Sequence, residues 1–347
     1  MLWIVHLAIA SSAAARVYPV RLGLIGDQGI GKHPKQVLRL IRDYGAQAIL
    51  HAGDFDYTDS PKQFMKQHQK VMGKRFPMLA AVGNHDITKW GGSNGYQDRL
   101  MRLNSKSGLS KHCSGEYGVN MVCDLNGIIV VVSGIGTLGS DHVQFITDSL
   151  SKYSDSPWKI CLWHKNQANF QTGDKTDETG YGVYEACRMA GAIIVHSHDH
   201  AYARTHLMSS FETATIASNA STLHISPGNT FAVVTGLGGE SIRPWAQGRQ
   251  LNPWWAATAA LDNGVNFGAL LCTFNVGGDP SKAECSFKDI DGVKWDSFDI
   301  VSHPPHSISH KQTVFLPSQT VSLCHSQSPI FLLFLPIILS LYLLIIY

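Results

Sequence analysis

Gly53-Asp54-Phe55-Asp56-Tyr57 follows an apolar, strand-like run from Ala46 to His51. A carboxylate on Asp54 and a phenol on Tyr57, just past a strand end, can turn into one small volume and hold a metal ion. Four more stretches repeat the pattern: Gly26-Asp27-Gln28-Gly29, Gly83-Asn84-His85-Asp86, Trp163-His164 and His196-Ser197-His198-Asp199-His200. Each begins where a Val/Ile/Leu run stops, and in open α/β sheets ligands gather outside the carboxyl ends of strands. Singly, each has a plainer explanation: Asp27 beside glycine as a turn, His164 as a packed histidine, Tyr57 as a core aromatic. Those explanations must all hold together at five strand ends, which makes a shared metal site the better reading.

Outward from these endings, the chain alternates strand, loop and helix. Val20 to Ile25, Ala46 to His51 and Met78 to Val82 read as strands, with helices expected over Pro34 to Tyr44 and Pro61 to Met72. That order argues for parallel β-α-β units. Trp90 to Lys111 is rich in Gly, Ser and Asn with one helix near Gln97 to Leu103, and reads either as a loop bordering the site or as a solvated insertion. Glu116 to Asp124 and Gly127 to Ser133 suggest a hairpin turning at Asn126-Gly127. Helices are expected over Asp141 to Leu150 and Gly180 to Ala190, and strands over Lys159 to Trp163 and Ala192 to His196. The later runs, Leu223 to Ser226, Phe231 to Thr235, Gly268 to Asn275 and Lys282 to Lys288, look like a second sheet completed by antiparallel pairing.

The ends carry different signals. Residues 1–15 are apolar and close on Ala13-Ala14-Ala15, as a secretory signal peptide does. Residues 16–317 read as one catalytic domain. A polar spacer from Ser318 to Ser328 precedes the apolar tail Ile330 to Tyr347, an order that fits a glycosylphosphatidylinositol signal better than a tail-anchoring helix. Either would attach the protein to a membrane at the cell surface. Of the seven Cys, Cys324 lies in the segment that anchor attachment would remove. Short spacing pairs Cys113 with Cys123 and Cys272 with Cys285, leaving Cys161 with Cys187, although spacing permits other connectivities. The sequon Asn219-Ala220-Ser221 suits a secreted protein. A net charge of +2 argues against a nucleic-acid partner, and nothing indicates a protein partner.

The five endings resemble the calcineurin-like metallophosphoesterases, and within them the purple acid phosphatases. The family pattern GDxG, GDxxY, GNH[ED], VxxH, GHxH is met by Asp27, by Asp54 with Tyr57, by Asn84 with His85, by His164, and by His198 with His200. Ser197 stands where the family has Gly, and Cys161 where it usually has Val. The resemblance implies an α/β fold: a β-sandwich of two mixed sheets flanked by helices, in four αββα layers. It also implies a binuclear centre, with Asp27, Tyr57 and His200 on Fe(III), Asn84, His164 and His198 on a divalent Zn, Fe or Mn, and Asp54 bridging. Hard anionic donors suit the trivalent ion, and imidazoles with an amide oxygen suit the divalent one.

Two such ions clamp the attacking and leaving oxygens of a phosphoryl displacement and lower the pKa of the attacking water. The expected activity is hydrolysis of phosphate monoesters at acidic pH. His85 and Asn84 would contact the substrate phosphate, and His85 would serve as the catalytic acid. Lys165-Asn166-Gln167 stands where larger plant members carry further histidines, and Lys165 reads as a solvated surface lysine. Tyr202 and Arg204 extend the GHxH ending, and packing or salt bridging explains them equally well. The alternatives are a phosphodiesterase or nucleotide pyrophosphatase on the same site, and a non-catalytic, surface-anchored binding protein with a vestigial metal site.

Overall fold

Val20 to Ile25 forms β1, in which every side chain but that of Arg21 is buried. The computed structural model describes residues 17–304, so the expected signal peptide and the tail with Cys324 lie outside the described residues. Following β1 come β2 (Ala48–His51), β3 (Met78–Ala80), β4 (Cys113–Glu116), β5 (Asn120–Leu125), β6 (Ile128–Ser133), β7 (Trp158–Leu162) and β8 (Ile193–His196). The later strands are β9 (Tyr202–Thr205), β10 (Leu207–Ser210), β11 (Thr215–Ser218), β12 (Thr222–Ile225), β13 (Ala232–Thr235), β14 (Trp255–Ala259), β15 (Gly268–Phe274), β16 (Lys282–Asp289) and β17 (Lys294–Ser302). The helices are α1 (Lys32–Asp43), α2 (Pro61–Met72), α3 (Tyr96–Ser107), α4 (His142–Lys152) and α5 (Gly182–Met189).

Two mixed sheets result. The first runs β12-β17-β16-β15-β1-β2-β3 and the second β14-β9-β13-β8-β7-β6-β5-β4, with β10 and β11 as a separate hairpin. The expected parallel units are present as β1, β2 and β3, and as β6, β7 and β8. The later strands do not build a sheet of their own. β15 pairs antiparallel with β1 from Val20 against Phe274, carrying β16 and β17 with it, whereas β13 joins β8. The reason is the edge of β1: a strand buried on both faces needs hydrogen-bonding neighbours on both sides.

Leu24, Leu270, Phe274 and Phe298 of the first sheet meet Ile160, Ile193, Val195 and Phe231 of the second around a shared apolar interior. Alternation along the strands turns the other face outward. Val131, Cys161 and Ile194 therefore pack with Ile146 and Leu150 of α4 and with Val183, Tyr184 and Cys187 of α5. On the first sheet, α1 buries Val37, Leu38 and Ile41. The layers are thus helix, sheet, sheet, helix, as expected. Disulfides link Cys113 with Cys123, Cys161 with Cys187 and Cys272 with Cys285. The second explains the cysteine at 161, which faces α5. The Asn126-Gly127 turn has both residues at positive φ, as a type I′ two-residue hairpin turn requires.

The Trp90 to Lys111 segment is neither a bordering loop nor simply solvated. Trp90 and Tyr96 are buried and stack around Phe55, whose ring lies 5.2 Å from Tyr96 and 4.9 Å from Phe64, so the segment supports the Asp54 loop from beneath. Tyr202 and Arg204 serve packing and salt bridging. The Arg204 guanidinium on β9 donates to both oxygens of Asp296 on β17, at 2.6 and 3.0 Å, and Tyr202 donates to the same carboxylate at 2.6 Å. This buried ion pair ties one sheet to the other. Asp296→Ala would strand the Arg204 charge, and we expect it to cost about 3–5 kcal/mol in urea denaturation. A loss below about 1 kcal/mol, as for an exposed pair, would show that the brace is dispensable.

Candidate metal centre

The five strand ends meet. The loop after β2 lies beside the loop after β1, with Asp27 N–H donating to Gly53 carbonyl and Gln28 N–H to Asp54 carbonyl. The loop after β8, in the other sheet, is joined to them by the His198 N–H, which donates to Asp27 Oδ2 at 2.9 Å. Asp86, the last residue of the third motif, clamps the Asp54 loop. Its carboxylate accepts the N–H groups of Asp54, Phe55 and Gly83 at 2.8 to 2.9 Å. Gly53 has to be glycine: its φ is 91°, and a Cβ there would lie 2.8 Å from Gly83 N and 2.9 Å from His164 Nδ1.

Four of the seven expected ligand residues, Asp27, Asp54, Tyr57 and His198, sit at φ between 53° and 68°. For Tyr57 and His198 this left-handed conformation is costly, and such strain concentrates at functional sites. The side chains form two groups. Tyr57 Oη lies 2.9 Å from Asp27 Oδ1 and 3.1 Å from His200 Nε2, and these last two are 3.3 Å apart. In the second group, His164 Nε2 lies 3.0 Å from Asn84 Oδ1, 3.1 Å from His198 Nδ1 and 3.2 Å from Asp54 Oδ2.

One hydrogen bond does not account for the second group. An imidazole nitrogen carries at most one proton, yet Asn84 Oδ1, Asp54 Oδ2 and His198 Nδ1 all crowd His164 Nε2. His164 Nδ1 already donates to Ala52 carbonyl at 2.8 Å. Donor atoms bound about 2.0–2.2 Å from one ion, at right angles, are roughly 2.8–3.1 Å apart. The close gathering of Asp54, His164 and His198, all buried, is thus one that a cation could occupy. Of the hard and borderline donors, the phenol gathers with a carboxylate and the amide with two imidazoles, the partition expected from ligand chemistry.

The buried charges of the site act strongly on one another. Burial opposes the charged His164 imidazole, but Asp54 beside it prevails and holds it up at about 9. Burial also opposes the Asp54 carboxylate, and His164 overrides it, keeping Asp54 below its ordinary range. His198 is held below its ordinary value by burial and then by His164 and Lys165. Burial, followed by Asp27 and Asp54, pushes the Tyr57 phenol well above its usual value. A multivalent cation reverses that last effect, since it favours deprotonated ligands.

Ser197, which replaces the family glycine, donates to Ala52 carbonyl at 2.7 Å and lies 3.0 Å from His164 Nδ1, so it supports the ring rather than disturbing it. His85 is exposed at the mouth, its ring 4.5 Å from that of Tyr57, while its N–H donates to Asp54 Oδ1. Lys165 is not a solvated lysine: it is buried, 2.5 Å from Glu178 Oε1 and 3.2 Å from His198 Nε2. Asn166 turns inward to His196 and Ser197, and the buried Gln167 backbone N–H donates to Tyr184 Oη, so neither takes the place of a pocket histidine. Glu178 lies 3.0 Å from His198 Nε2, and Ser241 Oγ lies 2.5 Å from His200 Nδ1. Sequence patterns do not mark Glu178 or Ser241, which lie far along the chain from the imidazoles they orient. Asp86 was visible in the GNH[ED] motif, though not its role.

The chain belongs to the calcineurin-like phosphoesterases, whose family profile matches residues 20–202. Among solved structures, it is similar to the purple acid phosphatase PPD1 of yellow lupin (Lupinus luteus), with a TM-score of 0.62 and 17% identity over 86% of this chain. The chain spans 58% of the length of that lupin enzyme. It is also similar to GAP50, the anchor in the inner membrane complex of Plasmodium, with a TM-score of 0.53 and 11% identity over 82% of this chain and 89% of that one. No curated protein matches the chain.

Asp86→Ala would leave three buried N–H groups unpaired and release the Asp54 loop. We expect a stability loss of about 3 kcal/mol or more, and metal content, measured by plasma emission, to fall although Asp86 is not itself a ligand. Wild-type metal content in this variant would show that the clamp does not shape the centre.

Proposed function

We propose that the protein is a binuclear metal-dependent phosphatase of the purple acid type, hydrolysing phosphate monoesters at acidic pH. The observation that carries this reading is the pairing of two donor groups, one built on the Tyr57 phenol and the other on His164. Asp27, Tyr57 and His200 would hold Fe(III), Asn84, His164 and His198 a divalent Zn, Fe or Mn, and Asp54 would bridge them. Bound there, the metals would supply charge to the phosphate and activate the attacking water.

The chain's own residues supply orientation. Asn84 and His85 share the loop that borders the crevice, and the exposed His85 ring is free to bind the phosphate or give a proton to the leaving oxygen. Asp27 and Asp54 each use one oxygen on a backbone N–H, which leaves the other directed at a donor group. Ala52 carbonyl and Ser197 fix the tautomer of His164 that presents Nε2 to the centre. The non-catalytic alternative draws on the fold shared with the Plasmodium anchor, and the complete donor set argues against it.

The three disulfides fit an oxidising compartment, and Asn219 of the sequon is exposed. Among the described residues no helix is long and apolar enough to cross a membrane. We place the protein in the secretory pathway, attached at the cell surface by a lipid after loss of the tail beyond Ser318. Phosphatidylinositol-specific phospholipase C should release active protein from cells, whereas retention of the Tyr347 C-terminus on membrane-bound protein would favour a tail helix.

The purified protein should turn over an aryl phosphate faster than a bis-aryl phosphate, most strongly in acid. It should also show a visible charge-transfer band that Tyr57→Phe removes with the fold intact. Dominant diester cleavage would replace the monoesterase reading with the phosphodiesterase one. A ferric protein whose band survives Tyr57→Phe would overturn the ligand assignment. Failure to bind metal, with no turnover after Fe and Zn are added, would favour a binding protein.

A further inference from the structure

One flank of the centre carries more positive charge than the centre's own architecture uses. Lys165 borders His198 and is neutralised by Glu178. Beyond it, residues 171–175 form a closed loop: Gln171 accepts from the Lys175 N–H at 2.9 Å and donates to the Lys175 carbonyl at 2.6 Å. Asp199, between the two histidines of the fifth motif, holds this loop through the N–H groups of Thr172 and Gly173 and the Thr172 hydroxyl, at 2.9 to 3.0 Å. A second segment is stitched to both: Arg243 N–H donates to His200 carbonyl, and Ala246 N–H to Thr172 carbonyl.

These bonds bring Lys175 and Arg243 to the same rim, against the backbone of the metal-site histidines. Both side chains are partly buried. Neither makes an ion pair or a side-chain hydrogen bond with a described residue. Burial, then the charges of Arg243 and Lys165, depress the Lys175 ammonium, and Asp27 and Glu178 only partly oppose them. The nearby Asp177 is turned to the backbone of Thr179 and Gly180. Two adjacent cations, partly desolvated and without a carboxylate partner, are unfavourable by themselves and favourable around an anion.

We propose that Lys175 and Arg243 form an anion subsite that binds a phosphate carried by the leaving group, so that the enzyme selects compounds with two neighbouring phosphates over simple aryl monoesters. This rests on the phosphatase reading above. With inorganic pyrophosphate, water adds to the phosphorus at the centre and the bond from that phosphorus to the bridging oxygen breaks. The bridging oxygen keeps the electron pair and takes up a proton, and two orthophosphates leave. The subsite holds the departing phosphate as its charge grows.

The test compares pyrophosphate with 4-nitrophenyl phosphate for the wild type, Lys175→Met, Arg243→Gln and the double variant. Calorimetric titration of methylenediphosphonate and methylphosphonate reads binding alone. Each charge-assisted contact contributes on the scale of about tenfold. The ratio of kcat/KM for pyrophosphate to that for the aryl phosphate should fall about tenfold in each single variant and further in the double. The tighter binding of the diphosphonate should shrink in parallel. Melting temperatures near the wild type's would establish folding, and either single variant suffices if the double unfolds. An unchanged ratio with unchanged diphosphonate binding overturns the subsite. Absence of turnover with both substrates overturns the phosphatase reading instead, and the calorimetric comparison then still decides whether the cations bind a second phosphate.

Discussion

One hydrogen bond, from the His198 N–H to Asp27 Oδ2, joins the loop after β8 in the second sheet to the loop after β1 in the first. The candidate centre depends on this junction because its two donor groups draw on both sheets. Asp27 and Tyr57 come from the first, His164, His198 and His200 from the second. Because Asp27 spends one oxygen on that N–H, its other oxygen is left to face Tyr57 and His200. Gly236 lets this approach happen: a Cβ at that position would collide with the Asp199 carbonyl, between the two histidines. A larger residue would push the second sheet's loop off the first.

Such a junction would be worthless if the sheets could slide. The apolar interior between them is nondirectional, so it holds the layers together without fixing their offset. Direction comes from the buried Arg204, Tyr202 and Asp296 cluster, whose bidentate geometry tolerates little displacement. Beneath the crevice, Phe55 is wedged among Phe64, Trp90 and Tyr96, so the Asp54 loop rests on a packed aromatic floor. Strained φ values at Tyr57 and His198 can persist because these surroundings over-determine them.

Orientation of the imidazoles follows a common plan with different partners. His164 is set by Ala52 carbonyl and Ser197, His198 lies against Glu178 and Lys165, and His200 against Ser241. Each partner fixes the far nitrogen and so decides which nitrogen faces the centre. Serine in place of glycine at 197 is thus accommodated within the centre's support. Lysine at 165 is paired with Glu178, so the uncompensated positive charge of that rim lies beyond it, on Lys175 and Arg243.

The sequence by itself marked the strand ends and the polar side chains just beyond them, and cysteine spacing suggested the three disulfide pairings without excluding others. Local chemistry sufficed there: apolar runs of strand length mark where strands stop, and polar ligand types immediately beyond have few other uses. The hairpin at Asn126-Gly127 was legible for the same reason, since its two residues must both tolerate positive φ. Which sheet received β13 or β15 was decided only in the tertiary structure, because partner choice depends on which buried edge lacks hydrogen bonds. The same holds for Lys165, whose burial beside Glu178 depends on a chain reversal between them. Ser241 and Arg243 likewise reach His200 only through folding. Residues so distant along the chain leave no local periodicity or motif, and their meeting is fixed by the packing of two sheets against each other.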